Sequence, residues 1–495
     1  MTIQERRRTQ GLNLGLVLAI VLSIGFYLWM SWRTLGLAFP LDDAWIHQSY
    51  ARNLALRGEW AFLPGQPSAG STSPLWAAVL AGGHALGLDP RAWTYGMGTI
   101  LLGITAWLGA RWVSQRQGSE RSWHWLAALL LVFEWHLVWA AISGMEVPAM
   151  ALLVVVVLYA LDGNRWRALF IGFLIGLGVW LRPDAVLLAL AAAWVIMTRE
   201  RFQIRRILKA FGGLLLGMAL PIAPYLVFNR LLSGAWWPTT FYAKQAEYAI
   251  LRQTPLLQRV VEQAGLPLVG VIALLLPGIV LGGVRAIRSR QWFRFAPLLW
   301  VCLHLGAYAL RLPLDYHYQH GRYAMPTVPI LLILGVEGLL GWLQLDTETV
   351  YKRVISRAWL ASVIIVAAIF WFLGAQAYAR DVAIIESEMV ATAHWVRENT
   401  HEDDLIAAHD IGAMGYFGER EILDLAGLVD PIVIPYIRDE QALEALLDAQ
   451  QADYLVTFPG WYPQLISGGT QVFTTNGSFS PLAGGENMTV YLWRK

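Results

Sequence analysis

A chain of 495 residues that is 57% hydrophobic and 15% charged, with a mean hydropathy of +0.48, is far more apolar than soluble domains, for which roughly 45–50% and 25% are usual. A net charge of +2 gives no electrostatic footprint for nucleic acid, and a single cysteine, Cys302, excludes an intrachain disulfide. The composition is that of a multi-pass protein of the cell membrane whose first partner is the lipid bilayer, and the 25 Trp suit the two interfaces, where an amphipathic ring sits at headgroup depth.

The N-terminal "MTIQERRRTQ" is followed by "GLNLGLVLAIVLSIGFYLWMSW". This apolar run is about 20 residues long, ends in Tyr27, Trp29 and Trp32, and lacks a small-residue cleavage site, so it reads as a retained first transmembrane helix and not a removed signal peptide. Further spans follow near 92–113, 123–142, 148–162, 168–182, 185–198, 210–229, 265–284, 295–311, 324–345 and 358–378. The sequence therefore predicts an α-helical polytopic membrane protein of about eleven transmembrane helices. The short basic loops "RWVSQRQGSER", "GNRWR", "RERFQIRRILK", "RAIRSRQWFR" and "YKRVISR" all fall on one side by alternation. With the RRR terminus cytoplasmic, the positive-inside rule sets the topology as N-in and C-out.

Residues 1–378 form the expected membrane module, and 379–495 read as a soluble extracytoplasmic α/β domain. In that tail "MVATAHWVREN" has helical periodicity, "DLIAAHD" and "ADYLVTF" are short strand-like runs, and "DEQALEALLDAQQ" is an amphipathic helix between them. Gly412, Gly415 and Gly418 lack the dinucleotide-binding spacing and read as turn and packing glycines. Neither a P-loop nor a zinc-ligand spacing occurs, so an activated substrate must reach the site by another route.

The unusual polar residues gather in the loops opposite the basic ones: "LDDAWIH" within 33–91, "SGMEV" at 143–147, "LRPD" at 181–184, "PTTFYAK" within 230–264 and "LPLDYHYQHGRY" at 312–323. An ionisable group at the membrane is a functional candidate because leaving it unpaired near lipid costs several kcal/mol, on the order of 2.5–3.5 at a helix centre. Asp42 and Asp43 can supply a general base towards a hydroxyl, while Arg182, Lys244 and Arg322 can neutralise a phosphate, Arg by forked hydrogen bonds and Lys as a point charge. Together these groups describe displacement of a lipid phosphate from a sugar. Each has a plainer reading: Asp42 as an N-cap, Asp43 as a helix-dipole partner, Glu146 as a turn residue, and the three cations as interfacial anchors. His47, His317 and His320 read as polar lining and not as metal ligands, and Trp236 and Trp237 as an interface belt.

In their joint order these segments resemble the GT-C superfamily of integral-membrane glycosyltransferases. "LDDAWIHQSYARNLALRGEWAFLPGQPSAGSTSPLWAAVLA" is similar to the first extracytoplasmic loop of a bacterial branch that looks like the mycobacterial terminal arabinofuranosyltransferases. The likeness continues through "SGMEVP", "LRPD", "WWPTTFYAK", "GRYAMPTVPILLIL" and "HDIGAMGYFGEREILDLAGLVDP", and so spans most of the chain. The resemblance implies the GT-C fold, a polyprenyl-phosphate-sugar donor, an extracytoplasmic active site and inverting transfer by one displacement to a glycan, lipid or protein acceptor. It implies Asp42 as catalytic base, Asp43 as a neighbour orienting the acceptor, and Glu146 as a substrate-contacting acid. Arg182, Lys244 and Arg322 occupy matching motifs, with Tyr323 and His320 beside them as further candidate substrate contacts. "LDYHYQHGRY" departs from the D-W-M-x-G-R pattern of the arabinosyl branch, so the donated sugar stays open. Some GT-C oligosaccharyltransferases use a divalent metal. This chain has no clear ligand set, and neither a metal nor another cofactor is expected. Two other classes compete: a transporter or flippase, which would carry polar residues through the bilayer depth and usually repeated halves, and a scaffold whose C-terminal domain does the binding.

Overall fold

A computed structural model describes residues 3–117, 124–163, 167–200, 203–314, 319–340 and 350–493. His317, parts of three of the basic loops and the end of the span expected at 324–345 lie outside these residues.

The first helix, Ile3–Thr34, shows why these segments favour lipid. Leu16, Ile20, Ile24 and Tyr27 recur every three to four residues and are buried against the bundle, while Leu14, Val17, Leu18 and Val21 on the other faces are 55–62% exposed. Helices long and apolar enough to cross a membrane alone are Gly11–Thr34, Ile204–Ser233, Trp292–Arg311, Gln319–Leu340 and Arg353–Asn399. The other expected spans are shorter or interrupted. That at 123–142 is two helices, Trp125–Val132 and Trp135–Ala141, because the Glu134 side chain accepts from the Leu137 N–H and starts a new helix. Ala168–Val179 and Leu188–Arg199 have 12 residues each, about 18 Å at 1.5 Å per residue, and cover only part of a ~30 Å hydrocarbon core.

The span expected at 265–284 is corrected to Ile272–Arg288. Leu256–Gly265 is a separate helix, and the Leu256–Leu268 segment lies at 102° to the span. Pro267 and the left-handed Gly270, at φ 121°, enforce the corner. Leu256, Leu257, Val260 and Val261 project outward from it, whereas Arg259 and Gln263 donate to the Ala309 and Leu314 carbonyls.

Glycines set two of the closest helix pairs. A Cβ on Gly172 or Gly217 would lie 2.1 Å from the Leu214 or Leu169 carbonyl oxygen, which locks Ala168–Val179 against Ile204–Ser233. Gly278 and Gly338 do the same for Ile272–Arg288 and Val328–Leu340. In lipid, where there is little hydrophobic drive between helices, such close backbone approach supplies the packing energy.

The last membrane helix, Val350–Ile385, continues through a π-turn at Glu386–Val390 into Ala391–Asn399. After a small hairpin of β1 (Ala61–Leu63) and β2 (Gln66–Pro67) in the first loop, the remaining strands are β3 (Leu405–Ala408), β4 (Glu421–Asp424), β5 (Tyr454–Thr457), β6 (Thr470–Thr474) and β7 (Thr489–Leu492). They form one sheet in the order β4-β3-β5-β7-β6, with β3 parallel to β4 and β5 and β7 antiparallel to β5 and β6. Alternation along the strands gives the sheet two apolar faces. Ala407, Leu423 and Leu455 pack beneath Leu443 and Leu447 of the helix Glu440–Ala449, whereas Ile406, Ala408, Ile422 and Val456 belong to the same continuous core as the membrane helices.

The Gly338–Gly278 contact is directly testable. Gly338→Ala would place a methyl 1.7 Å from the Gly278 oxygen and should destabilise the protein by about 1–3 kcal/mol, lowering its melting temperature in detergent. Gly25→Ala, which meets open space, should melt with the parent. Equal melting of both variants would refute the close approach.

Candidate active site

The helix Asp43–Arg57 begins directly after the turn that leaves the first span, and its two opening acids face in different directions. Asp42 is buried, and its carboxylate accepts from the backbone N–H of Gly412 at 2.6 Å and of Ala413 at 2.7 Å. Among the described residues it thus caps the helical turn at Gly412 in the C-terminal domain, and not its own helix. Only glycine fits there, since a Cβ on Gly412 would lie 2.0 Å from the Asp42 carbonyl oxygen. Burial and the nearby Asp410 push the Asp42 carboxyl up to about 8, against the two N–H bonds. Asp42 lies outside the cavity described below, with both oxygens engaged. The structure thus places Asp42, the residue expected as catalytic base, as a clamp between modules.

Asp43 faces the cavity. Its Oδ2 accepts from Arg322 Nη2 at 3.0 Å and lies 3.7 Å from Lys244 Nζ. Both cations also donate to the Tyr323 hydroxyl, at 2.9 Å from Lys244 and 3.0 Å from Arg322. Burial alone would raise the Asp43 carboxyl, but Lys244 and Arg322 hold it down at about 2. The Tyr323 ring lies beneath three cations, 4.8 Å from Arg182, 5.0 Å from Arg322 and 5.7 Å from Lys244.

A second network joins this one. Glu146 starts the helix Val147–Asp162 after a tight turn in which the left-handed Gly144 is pressed against Ala44 and Phe39. Its Oε1 accepts from Arg182 Nη1 at 2.7 Å, and Oε2 lies 3.5 Å from His47 Nε2. Burial opposes its ionisation, yet His47 and Arg182 hold the carboxyl well below the usual range. Arg182 also donates to Tyr308 at 2.5 Å and to Asp184 at 3.2 Å, and Tyr308 donates to Asp184 at 2.7 Å.

These groups meet at one end of a cavity of about 400 Å³ whose remaining walls include Ile46, Val186, Trp237, Phe241 and Leu312, with Leu428 contributed by the C-terminal domain. Asp43, Glu146, Arg182, Lys244, Arg322 and Tyr323 therefore share one site although they come from five loops. Asp184 and Tyr308 join them without having been singled out from sequence. Asp184 stands two residues past Arg182 in "LRPD", and Tyr308 lies near the end of an apolar helix that otherwise reads only as a span. The lining carries four cations (Arg182, Lys244, Arg311 and Arg322) and three acids (Asp43, Glu146 and Asp184), leaving one positive charge with His47 neutral.

His320 is corrected: it lies outside the cavity. Gln319, His320 and Gly321 all have positive φ, at 51°, 55° and 69°, so the chain reverses and residues two apart point in opposite directions. His320 Nε2 instead meets Asp381 Oδ2 at 2.7 Å, with Trp135 and Trp139 edge-on to its ring. Among the described residues no group of three or more His, Cys, Asp or Glu is arranged to hold a metal ion.

This arrangement of a helical membrane module, a charged cavity among the loops at one end of it and a C-terminal α/β domain is the GT-C glycosyltransferase fold. It is shared with ArnT from Cupriavidus metallidurans bound to undecaprenyl phosphate, at 12% identity and a TM-score of 0.59 over 97% of this chain and 98% of that one. The oligosaccharyltransferase of Archaeoglobus fulgidus, in complex with zinc and sulfate, matches at 12% identity and a TM-score of 0.61 over 96% of this chain and 72% of its own. Arabinofuranosyltransferase AftD from Mycobacteria reaches a TM-score of only 0.48, with 41% of its length covered, too slight to distinguish a branch. Residues 376–491 match a domain of unknown function, DUF8728. No curated protein matches the chain.

The clamp reading of Asp42 makes a prediction of its own. An amide offers one acceptor oxygen, so Asp42→Asn should leave one buried N–H of the Gly412 turn unpaired and weaken docking of the domain by about 1–3 kcal/mol. Limited proteolysis near residue 400 should then be faster than in the parent. An unchanged rate would mean that the clamp does not hold the domain.

Proposed function

We propose that this protein is an inverting glycosyltransferase that moves a sugar from a polyprenyl-phosphate donor to an acceptor hydroxyl outside the cytoplasm. The observation that carries this reading is the placement of Asp43 against Lys244, Arg322 and Tyr323 at the charged end of an otherwise apolar cavity. Apolar walls suit the first units of a lipid tail. The net positive lining suits a phosphodiester of one negative charge, and suits better the leaving monoester, which carries about 1.5–2 at neutral pH. Binding that strengthens as charge develops is what accelerates a displacement. The fold relative that holds undecaprenyl phosphate agrees with this donor class.

In the proposed step the acceptor oxygen attacks the anomeric carbon as its bond to the phosphate oxygen breaks. The bonding pair leaves with the phosphate, and the acceptor proton passes to Asp43. Paired with Lys244 and Arg322, Asp43 is too weak a base. Donor phosphate takes those cations, Asp43 loses its partners, and its basicity rises when it is needed. Glu146 and Asp184 keep Arg182 charged and fixed beside Tyr323. No step here uses a metal.

We further propose the N-in, C-out orientation. What supports it is that Arg116, Arg199, Arg285 and Arg294 gather around Asp162 and Glu337 at the helix ends opposite the cavity, the charge bias that the positive-inside rule associates with a cytoplasmic end. In Cys302→Ser protein, a membrane-impermeant thiol reagent should label a cysteine introduced at Gln450 and not one at Arg205 in intact cells. The reverse pattern would move the site indoors.

Asp43→Asn should reduce transfer from a polyprenyl-phosphate sugar by about 10²–10⁴-fold, the usual contribution of a positioned base, without loss of folding. Arg322→Lys should also be impaired, because Lys cannot form the forked contact. Parental turnover by Asp43→Asn would remove Asp43 from the chemistry.

A further inference from the structure

We infer that the C-terminal domain carries a saccharide-binding crevice at the carboxyl ends of β3 and β5, and that this crevice presents the acceptor hydroxyl to Asp43. The inference rests on the transfer reading above and names its acceptor class.

Sheet topology gives the first reason. β3 pairs with β4 on one side and β5 on the other, so the chain leaves the sheet centre in one direction and returns on the opposite flank. At such a switch point the loops after the two central parallel strands diverge and leave a crevice outside their carboxyl ends, the usual ligand position in open α/β sheets. The loop after β3 supplies His409 and Asp410, and the loop after β5 supplies Trp461 and Tyr462. Glu247 reaches the same place from the membrane module, at the end of the helix Thr239–Glu247 that also carries Lys244.

The side chains form a connected set. His409 Nδ1 meets the Tyr462 hydroxyl at 2.7 Å, and Nε2 lies 3.5 Å from Glu247 Oε1. Trp461 stands edge-on to the His409 ring at 4.8 Å and is 49% exposed. Asp410 Oδ2 is buried with no hydrogen-bond partner among the described residues. A seam that merely joined two modules would have no use for a half-exposed indole against His409 and, on the next residue of that loop, an unpartnered carboxylate oxygen. A neutral polyol uses both, laying C–H groups on the aromatic face and donating hydroxyls to the carboxylates.

Charge separates the two substrates. Asp410 and Glu247 face the single cation His409 here, so this end offers a phosphate no surplus of positive charge, whereas the cavity that Asp43 lines is net positive. Asp410 is also tied to the chemistry through the chain itself. Two residues further on, Gly412 and Ala413 hold Asp42, whose neighbour is Asp43, and the Asp43 carboxylate lies close enough to disfavour ionisation of Asp410.

The test uses the full chain in lipid nanodiscs, with arabinotriose, mannotriose and maltotriose as neutral probes read by saturation-transfer NMR, and undecaprenyl phosphate binding measured in parallel. At least one trisaccharide should bind the parent. Trp461→Ala and Asp410→Asn should each weaken that binding at least tenfold, Trp461→Phe should restore most of it, and undecaprenyl phosphate binding should be unchanged in all three. Melting curves matching the parent exclude unfolding as the cause. Absence of trisaccharide binding to the parent, or binding unaltered in both weakened variants, would overturn the crevice. A parent that binds trisaccharide but not undecaprenyl phosphate would instead overturn the donor reading and leave the crevice standing.

Discussion

Burial of charge in a membrane protein is the constraint around which the cavity end of this molecule is organised. Arg322 is 3% exposed and Arg182 7%, and either would be prohibitively costly there without partners. The fold meets that cost through two joined networks: Asp43, Lys244 and Tyr323 around Arg322, and Glu146, Asp184 and Tyr308 around Arg182. Since the partners come from loops more than 250 residues apart, membrane helices of unequal length must bring those loops to one level. That explains why several helices are short, tilted or broken while the glycine contacts that fix their approach are so close.

The same networks explain which parts of the site were legible in the sequence. Charges in apolar surroundings stand out, and Asp43, Glu146, Arg182, Lys244, Arg322 and Tyr323 all line one cavity. Direction within a turn does not stand out. Asp42 and Asp43 are adjacent, yet the start of the helix sends one carboxylate to Gly412 and the other to Arg322. His320 and Arg322 stand two positions apart, yet the left-handed run Gln319, His320 and Gly321 sends their side chains to different places. Tyr308 was hidden because a phenol in an apolar helix has no periodic signature. The membrane class was readable from composition, and the GT-C fold from the resemblance carried by the ordered motifs. Span limits near 123–142 and 265–284 were not, because the breaks are made by one capping carboxylate, Glu134, and by one left-handed glycine, Gly270.

The C-terminal sheet was visible as strand-like runs, but not its place. Its alternation gives two apolar faces, and a free-standing domain would need its own cover for both. Here one face packs under the helix Glu440–Ala449, while the other continues the core of the membrane helices. The membrane module therefore completes the domain, and Leu428 and the Gly412 turn reach the site as structural necessities of that packing.

From this packing follows the electrostatic division of the site. The cations lie on loops of the membrane module, next to the apolar walls, where a lipid phosphate would arrive. Asp410 and Glu247 lie together at the carboxyl end of β3, in contact with the C-terminal domain. Asp43 stands at the boundary. In the empty protein it neutralises Lys244 and Arg322, and in the proposed reaction it gives them up to a phosphate and faces a hydroxyl from the other direction. A carboxylate on the donor side alone would stay paired and inert, and one on the acidic side alone would have no phosphate to displace it from its cations. Only at the seam between the two modules can one group respond to the donor and act on the acceptor, which gives the clamp of Asp42 on Gly412 its significance: it fixes the seam one residue away.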